Sequence, residues 1–175
     1  MEVFGNRPPE NGTVSASAIG GDGLVRAVLG MTLLRATGWV DRMGDYPLEH
    51  SFFVDPTGAV DPTDLAASRD PESLIDASDA LPLRGFSTRP NASIYLPEGA
   101  SLEETSVMTV IAMVRDSAGS VAAVGARINV LPAFDSSQSG NSVAARGAVT
   151  DQLSLLNGAS DSTPEELLGG LAGLG

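Results

Sequence analysis

The chain has 175 residues, enough for one well-buried domain with an appendage and too few for a second full domain. Its net charge of −12 excludes a phosphate backbone or an anionic membrane surface as partner, because little positive charge is available to neutralise either. With Cys 0, disulfides, thiol catalysis and cysteine-ligated metal sites fall away together.

Charged residues make up only 18% and hydrophobic residues 42%, a composition too apolar for a disordered chain. The apolar runs are far shorter than the ~20 residues of a membrane span, so no direct membrane insertion by this segment is expected. The opening "MEVFGNRPPENG" has no positive start followed by an apolar stretch, the pattern of a secretory signal.

Residues 1–23 are rich in Gly, Pro, Asn and Ser and read as a weakly structured lead-in, with one short strand candidate at "TVSASAI". The pattern tightens at "LVRAVLGMTLLRATGW". Within it "MTLLRATGW" has strand length and is closed by the turn cluster "VDRMGDYP". "LEHSFFV" alternates, so that Leu48, His50 and Phe52 share a face. Two Asp-Pro pairs in "DPTGAVDPTD" then break the strand and forbid a helix through that stretch.

Residues 61–85 form a long acidic connection, in which "PESLIDAS" predicts a short helix capped by Asp70 with Pro71 in its first turn. A strand follows Pro90. "SVMTVIAMVR" and "SVAAVGARINVLP" are two strands of similar length joined by a tight turn, and both are apolar on nearly both faces, as suits the middle of a sheet. Asp116 opens that turn as a local acceptor, and Gly119 closes it with a left-handed backbone. A turn role for Asp116 is far commoner than a catalytic one.

Residues 24–132 therefore predict a mainly β fold, an immunoglobulin- or fibronectin-III-like antiparallel β-sandwich. A Ser/Gly linker occupies 133–140. Residues 141–175 read as a short helical hairpin. Val149, Leu153 and Leu156 fall at helical spacing, and Thr163, Pro164 and Glu166 make an N-cap, first-turn proline and capping-box acid. In the second helix Leu167, Leu171 and Leu174 form an apolar stripe that needs a docking surface, because its glycines weaken it as a free helix.

Few residues carry a pattern tied to chemistry. His50 is the only histidine, and "EHSFF" has no nucleophile-elbow pattern around Ser51. One His and no Cys cannot hold zinc. Asp55, Asp61, Asp64 and Asp70 invite a calcium reading but lack EF-hand spacing, and a solvated loop is the commoner outcome. No catalytic residue, cofactor or metal is assigned. Trp39, Phe52 and Val114 are expected in the core, with Trp39 as its main anchor. Asn11 in "NGT" and Asn91 in "NAS" are candidate glycosylation sites, meaningful only if the chain is secreted.

Taken in order, "ATGWVD", "YPLEHSFFV", "LPEG", "VIAMVRDSAGS" and "INVLP" resemble the receptor-for-egg-jelly (REJ) module of polycystin-1-like proteins. Gly38, Trp39 and Asp41 match the first element of that pattern. Pro47, Leu48 and Phe52 match the second, with His50 where the family favours Tyr. Leu96, Pro97 and Gly99 match the third, and Val114, Asp116 and Gly119 the last.

The resemblance implies a fibronectin-III-like sandwich in the extracellular region of a ciliary membrane protein. It implies a role in protein–protein association or adhesion. The partners it implies are other domains of the parent protein and a polycystin-2-type channel. The residues alone leave two alternatives open: a bacterial- or algal-type surface immunoglobulin-like domain binding glycan or calcium through the 55–72 loop, and a hydrolase accessory domain.

Overall fold

The computed structural model describes residues 6–20, 23–42, 45–99 and 104–133. The chain divides into two units, 1–133 and 134–175, and every described residue falls in the first. The linker, the helical hairpin and its Leu167, Leu171 and Leu174 stripe lie outside the described residues.

Seven strands and two short helices make up the described unit: β1 (Thr13–Ala18), β2 (Met31–Thr37), β3 (Glu49–Asp55), α1 (Pro62–Ala67), α2 (Pro71–Asp76), β4 (Leu81–Ser87), β5 (Asn91–Tyr95), β6 (Ser106–Arg115) and β7 (Val121–Val130). They form two antiparallel sheets, one ordered β1-β2-β5 and the other β4-β3-β6-β7. Strands β1, β2 and β5 against β4, β3, β6 and β7 is the strand partition of a fibronectin-III-like sandwich. Among the described residues no helix is long and apolar enough to cross a membrane.

Period-two alternation on β3 and β6 builds two apolar layers rather than one. Phe52, Val54, Met108, Val110, Ala112 and Val114 point between the sheets and are fully buried, together with Leu34 and Thr32 of the facing sheet. The opposite set, Phe53, Ile111 and Met113, meets Leu65 of α1, Ile75 of α2 and Ala123 of β7 in a second cluster. This double coverage explains why "SVMTVIAM" is apolar on both faces. Among the described residues the three-stranded sheet has no such outer cover. Its outward residues Thr13, Ser15, Arg35 and Asn91 are exposed at one end, and Ile19, Met31 and Tyr95 at the other.

Three expectations are corrected. Residues 13–18 are not a loose lead-in: β1 pairs with β2 in continuous register from Thr13↔Thr37 to Ala18↔Thr32. The sandwich therefore starts at Thr13. Its small inward residues carry little hydrophobic signal alone and gain it only against β2 and the second sheet. Next, β7 is not mid-sheet but an edge, and its apolar outer face is explained by α1 packing across it, with Leu65 3.2 Å from a Cβ placed on Gly125.

Lastly, the acidic connection holds two helices and a strand rather than one helix. Asp61-Pro62 starts α1 just as Asp70-Pro71 starts α2. Each Asp side chain accepts from a backbone N–H of the first turn, Thr63 N at 2.7 Å and Ser73 N at 3.1 Å, and each Pro occupies a position with no N–H to satisfy.

Candidate functional site

The loops after β2 and β4 and the β6–β7 turn gather at one end of the sandwich, where most sequence-predicted residues meet. Gly38 turns the chain there with φ +78, and Val40 then exchanges backbone hydrogen bonds with Glu10, both 3.0 Å. Between them Trp39 is laid against Gly12, whose position has no room for a side chain: a Cβ there would lie 2.0 Å from the indole. Trp39 is half-buried, not the central anchor expected; Phe52 and Val114, at 0% exposure, hold the middle of the core. The reason is positional. Trp39 lies beyond Thr37, the last residue of β2, and packs against Gly12.

The β6–β7 turn is organised by Asp116, which is 3% exposed. One carboxylate oxygen accepts from Ala118 N at 2.8 Å and Ser120 N at 2.9 Å, and the other accepts from Asn6 Nδ2 at 2.6 Å. The Gly119 N–H donates to the Asp116 carbonyl at 3.2 Å, with Gly119 at φ +91. The Ser117 N–H donates to the Asp45 carbonyl at 3.0 Å and ties the turn to the β2–β3 loop. With three donors on its carboxylate, Asp116 is built into the turn.

Beside this turn a groove of about 530 Å³ opens between the ends of the two sheets, bounded by Trp39, Tyr46, Pro47, Leu48, His50 and Pro90. Tyr46 is half exposed, and its hydroxyl accepts from Asp41 N at 3.2 Å. His50 forms part of the groove's wall and is 7% exposed, with Nδ1 lacking a hydrogen-bond partner. Burial holds its pKa below the ordinary imidazole value; a backbone hydrogen bond with Ser87 opposes this, and the Arg84 guanidinium adds to the depression. Among the described residues no carboxylate or hydroxyl is hydrogen-bonded to the imidazole in the manner of a triad. Trp39 Nε1 is likewise buried without a partner. The groove offers aromatic and prolyl surface, with His50 in its wall.

The Asp-rich loop is also built from caps. Asp55, fully buried, accepts from Thr57 N at 2.9 Å, Thr57 Oγ1 at 2.6 Å and Val60 N at 2.7 Å. Burial pushes its carboxyl upward, but the Thr57 and Val60 hydrogen bonds outweigh that and leave it below the usual carboxylate range. Asp61 and Asp70 cap their helices. Asp61, Asp64 and Asp79 border a cleft of about 410 Å³ between the helices, yet among the described residues no three His, Cys, Asp or Glu side chains converge as a metal-binding group. Asn11 and Asn91 are both exposed, Asn11 at φ +63 and Asn91 at the start of β5.

Sequence reasoning missed Arg84. It lies 5.2 Å from the centroid of the Phe52 ring and donates to the carbonyls of Arg89 and Asn91, bracing the β4–β5 connection that forms one wall of the groove. Nothing local marks it, since its partners lie across a loop. No family model, curated protein or solved structure matches the chain.

Proposed function

We propose that this chain is a non-catalytic extracellular structural and interaction module of a polycystin-1-like ciliary membrane protein, where it mediates protein–protein association or adhesion. The observation that carries the non-catalytic half is the fate of the reactive side chains. Asp55, Asp61, Asp70 and Asp116 act on backbone N–H groups, and among the described residues the one histidine is buried with its Nδ1 unpartnered. The fibronectin-III-like sandwich and the ordered Gly38-Trp39, Pro47-Leu48, Leu96-Pro97 and Asp116-Gly119 elements support the parentage. A half-exposed Tyr46 beside Trp39 supports contact with another molecule, because aromatic surface with a polar tip is favoured at interfaces.

The test is topological. An antibody against this chain labels the cilium or plasma membrane of unpermeabilised cells that make the native protein. Labelling that needs permeabilisation overturns the extracellular reading.

A second reading, a surface immunoglobulin-like domain that binds glycan, is favoured by the Trp39–Tyr46 groove, since sugar rings stack on aromatic faces. Saturable binding to immobilised oligosaccharides that is lost in Tyr46→Ala would select it. Calcium has less support, because the loop carboxylates already cap backbone groups.

A further inference from the structure

We propose that Asn11 and Asn91 are a pair of N-glycan acceptors that shield the two open edges of the three-stranded sheet. This rests on the extracellular reading above and adds a site and a purpose to it.

In the order β1-β2-β5, β1 and β5 each leave one edge without a paired strand among the described residues. Open edges are templates for pairing with another chain, and natural sheets blunt them with charge, proline or a covering element. The four-stranded sheet does so. Its edge β4 carries Pro82 and Arg84, and its edge β7 carries Arg127 and is packed by α1. Neither β1, "TVSASA", nor β5, "NASIY", contains a charged residue or a proline. Yet each begins at a sequon. Asn11-Gly12-Thr13 leads into β1, and Asn91-Ala92-Ser93 opens β5.

Register places both acceptors at the same end of the sheet. Thr13 pairs with Thr37, and Asn91 pairs with Arg35 two residues away on β2. Asn11 and Asn91 therefore flank β2 from opposite edges. Both are exposed, as are Thr13 and Ser93, the hydroxyl residues of the two tripeptides. Ala92 points into the core, so Asn91 and Ser93 share the outward face.

The reaction requires a lipid-diphosphate-linked oligosaccharide as donor. The Asn Nδ2 forms a bond to the anomeric carbon, the bond from that carbon to the diphosphate oxygen breaks, and the lipid diphosphate leaves as the amide nitrogen loses one proton. The product is a bulky, hydrated group at the head of each open edge.

The full chain, directed into the secretory pathway of a eukaryotic cell and recovered from the medium, provides the test. This route does not depend on where the native protein resides, so its failure is distinct from failure of the extracellular reading. Peptide mass spectrometry is expected to find glycan on both Asn11 and Asn91, released by peptide N-glycosidase. The total mass shift should halve in Asn11→Gln and in Asn91→Gln and vanish in the double variant. A bare asparagine at either position overturns the pairing.

Enzymatic removal of the glycans from the folded protein reads out the shielding, without reliance on a variant that fails to fold. Sedimentation should then show self-association at a concentration where the glycosylated chain is monomeric. Unchanged sedimentation overturns the shielding role.

Discussion

The indole of Trp39 lies against the backbone of Gly12, with ring atoms only 2.0 and 2.1 Å from where a Cβ on Gly12 would stand. The segment before β1 and the loop after β2 are thus held in register by a contact that any side chain at residue 12 would force apart. Backbone hydrogen bonds between Glu10 and Val40 reinforce it on the next residues.

Gly12→Ala is therefore expected to destabilise the fold by about 1–3 kcal/mol, the usual cost of overpacking a fitted contact. Urea unfolding measures the loss. Because the chain has one Trp, its fluorescence reports this site alone and should shift to longer wavelength. A variant with unchanged stability and emission would mean that Trp39 does not rest on Gly12.

At the β6–β7 turn, Asp116→Ala removes an acceptor of three hydrogen bonds in a buried setting. The orphaned Ala118 and Ser120 N–H groups should make this cost about 2–3 kcal/mol. Asp116→Asn keeps an acceptor oxygen and should recover part of the loss. Equal destabilisation by both changes would point to the charge rather than the turn geometry.

His50 gives stability a pH dependence. Its pKa in the fold is depressed, first by burial and further by Arg84, against the Ser87 hydrogen bond, while the unfolded chain titrates near about 6.5. Between those values the unfolded state binds more protons. The contribution is complete above about pH 6.5 and is lost as pH falls toward the depressed folded value. His50→Gln should flatten this limb in urea titrations taken at successive pH values. Asp55, also depressed, contributes to a second loss that begins as pH falls below about 3.9, and Asp55→Asn should shrink it without abolishing it, since Asp61 and Asp70 are depressed as well.

In the outer layer, Leu65 is 1% exposed, lies beside Gly125 and clusters with Ile75, Ile111, Met113 and Ala123. Leu65→Ala should cost about 2–5 kcal/mol, the range for large-to-small changes in a core. Calorimetry checks it. A loss below about 1 kcal/mol would mean that α1 does not seal the sheet.

The features legible in the chain are those set by neighbours a few residues away. Asp116 and Gly119 mark a turn because a side-chain acceptor and a left-handed position are local requirements. Asp70-Pro71 marks a helix start for the same reason. Asp61-Pro62 carries the same mark, and the expectation that the Asp-Pro pairs forbid a helix there fails at the second pair, because a proline fits the first turn of α1. Strand β4 has no such local mark. Its run "LPLRGFS" contains a proline and a glycine, and it holds together by pairing with β3 across shifts in register near Phe52.

The candidate groove is less legible than the fold. Trp39, Tyr46, His50 and Pro90 come from separate loops and a strand, and nothing in their spacing brings them together.

By itself, then, the sequence determined the strand-rich class, the β6–β7 hairpin, the capped start of α2 and the absence of disulfides. Each of these depends on alternation, capping or composition within a short window. Only the tertiary structure decided that β1 belongs to the sandwich, that β7 is an edge covered by a helix, that Trp39 rests on Gly12 and that the loop carboxylates cap backbone groups. Those outcomes are set by burial and hydrogen bonding between segments distant in the chain, and such free energies exist only once the two sheets have come together.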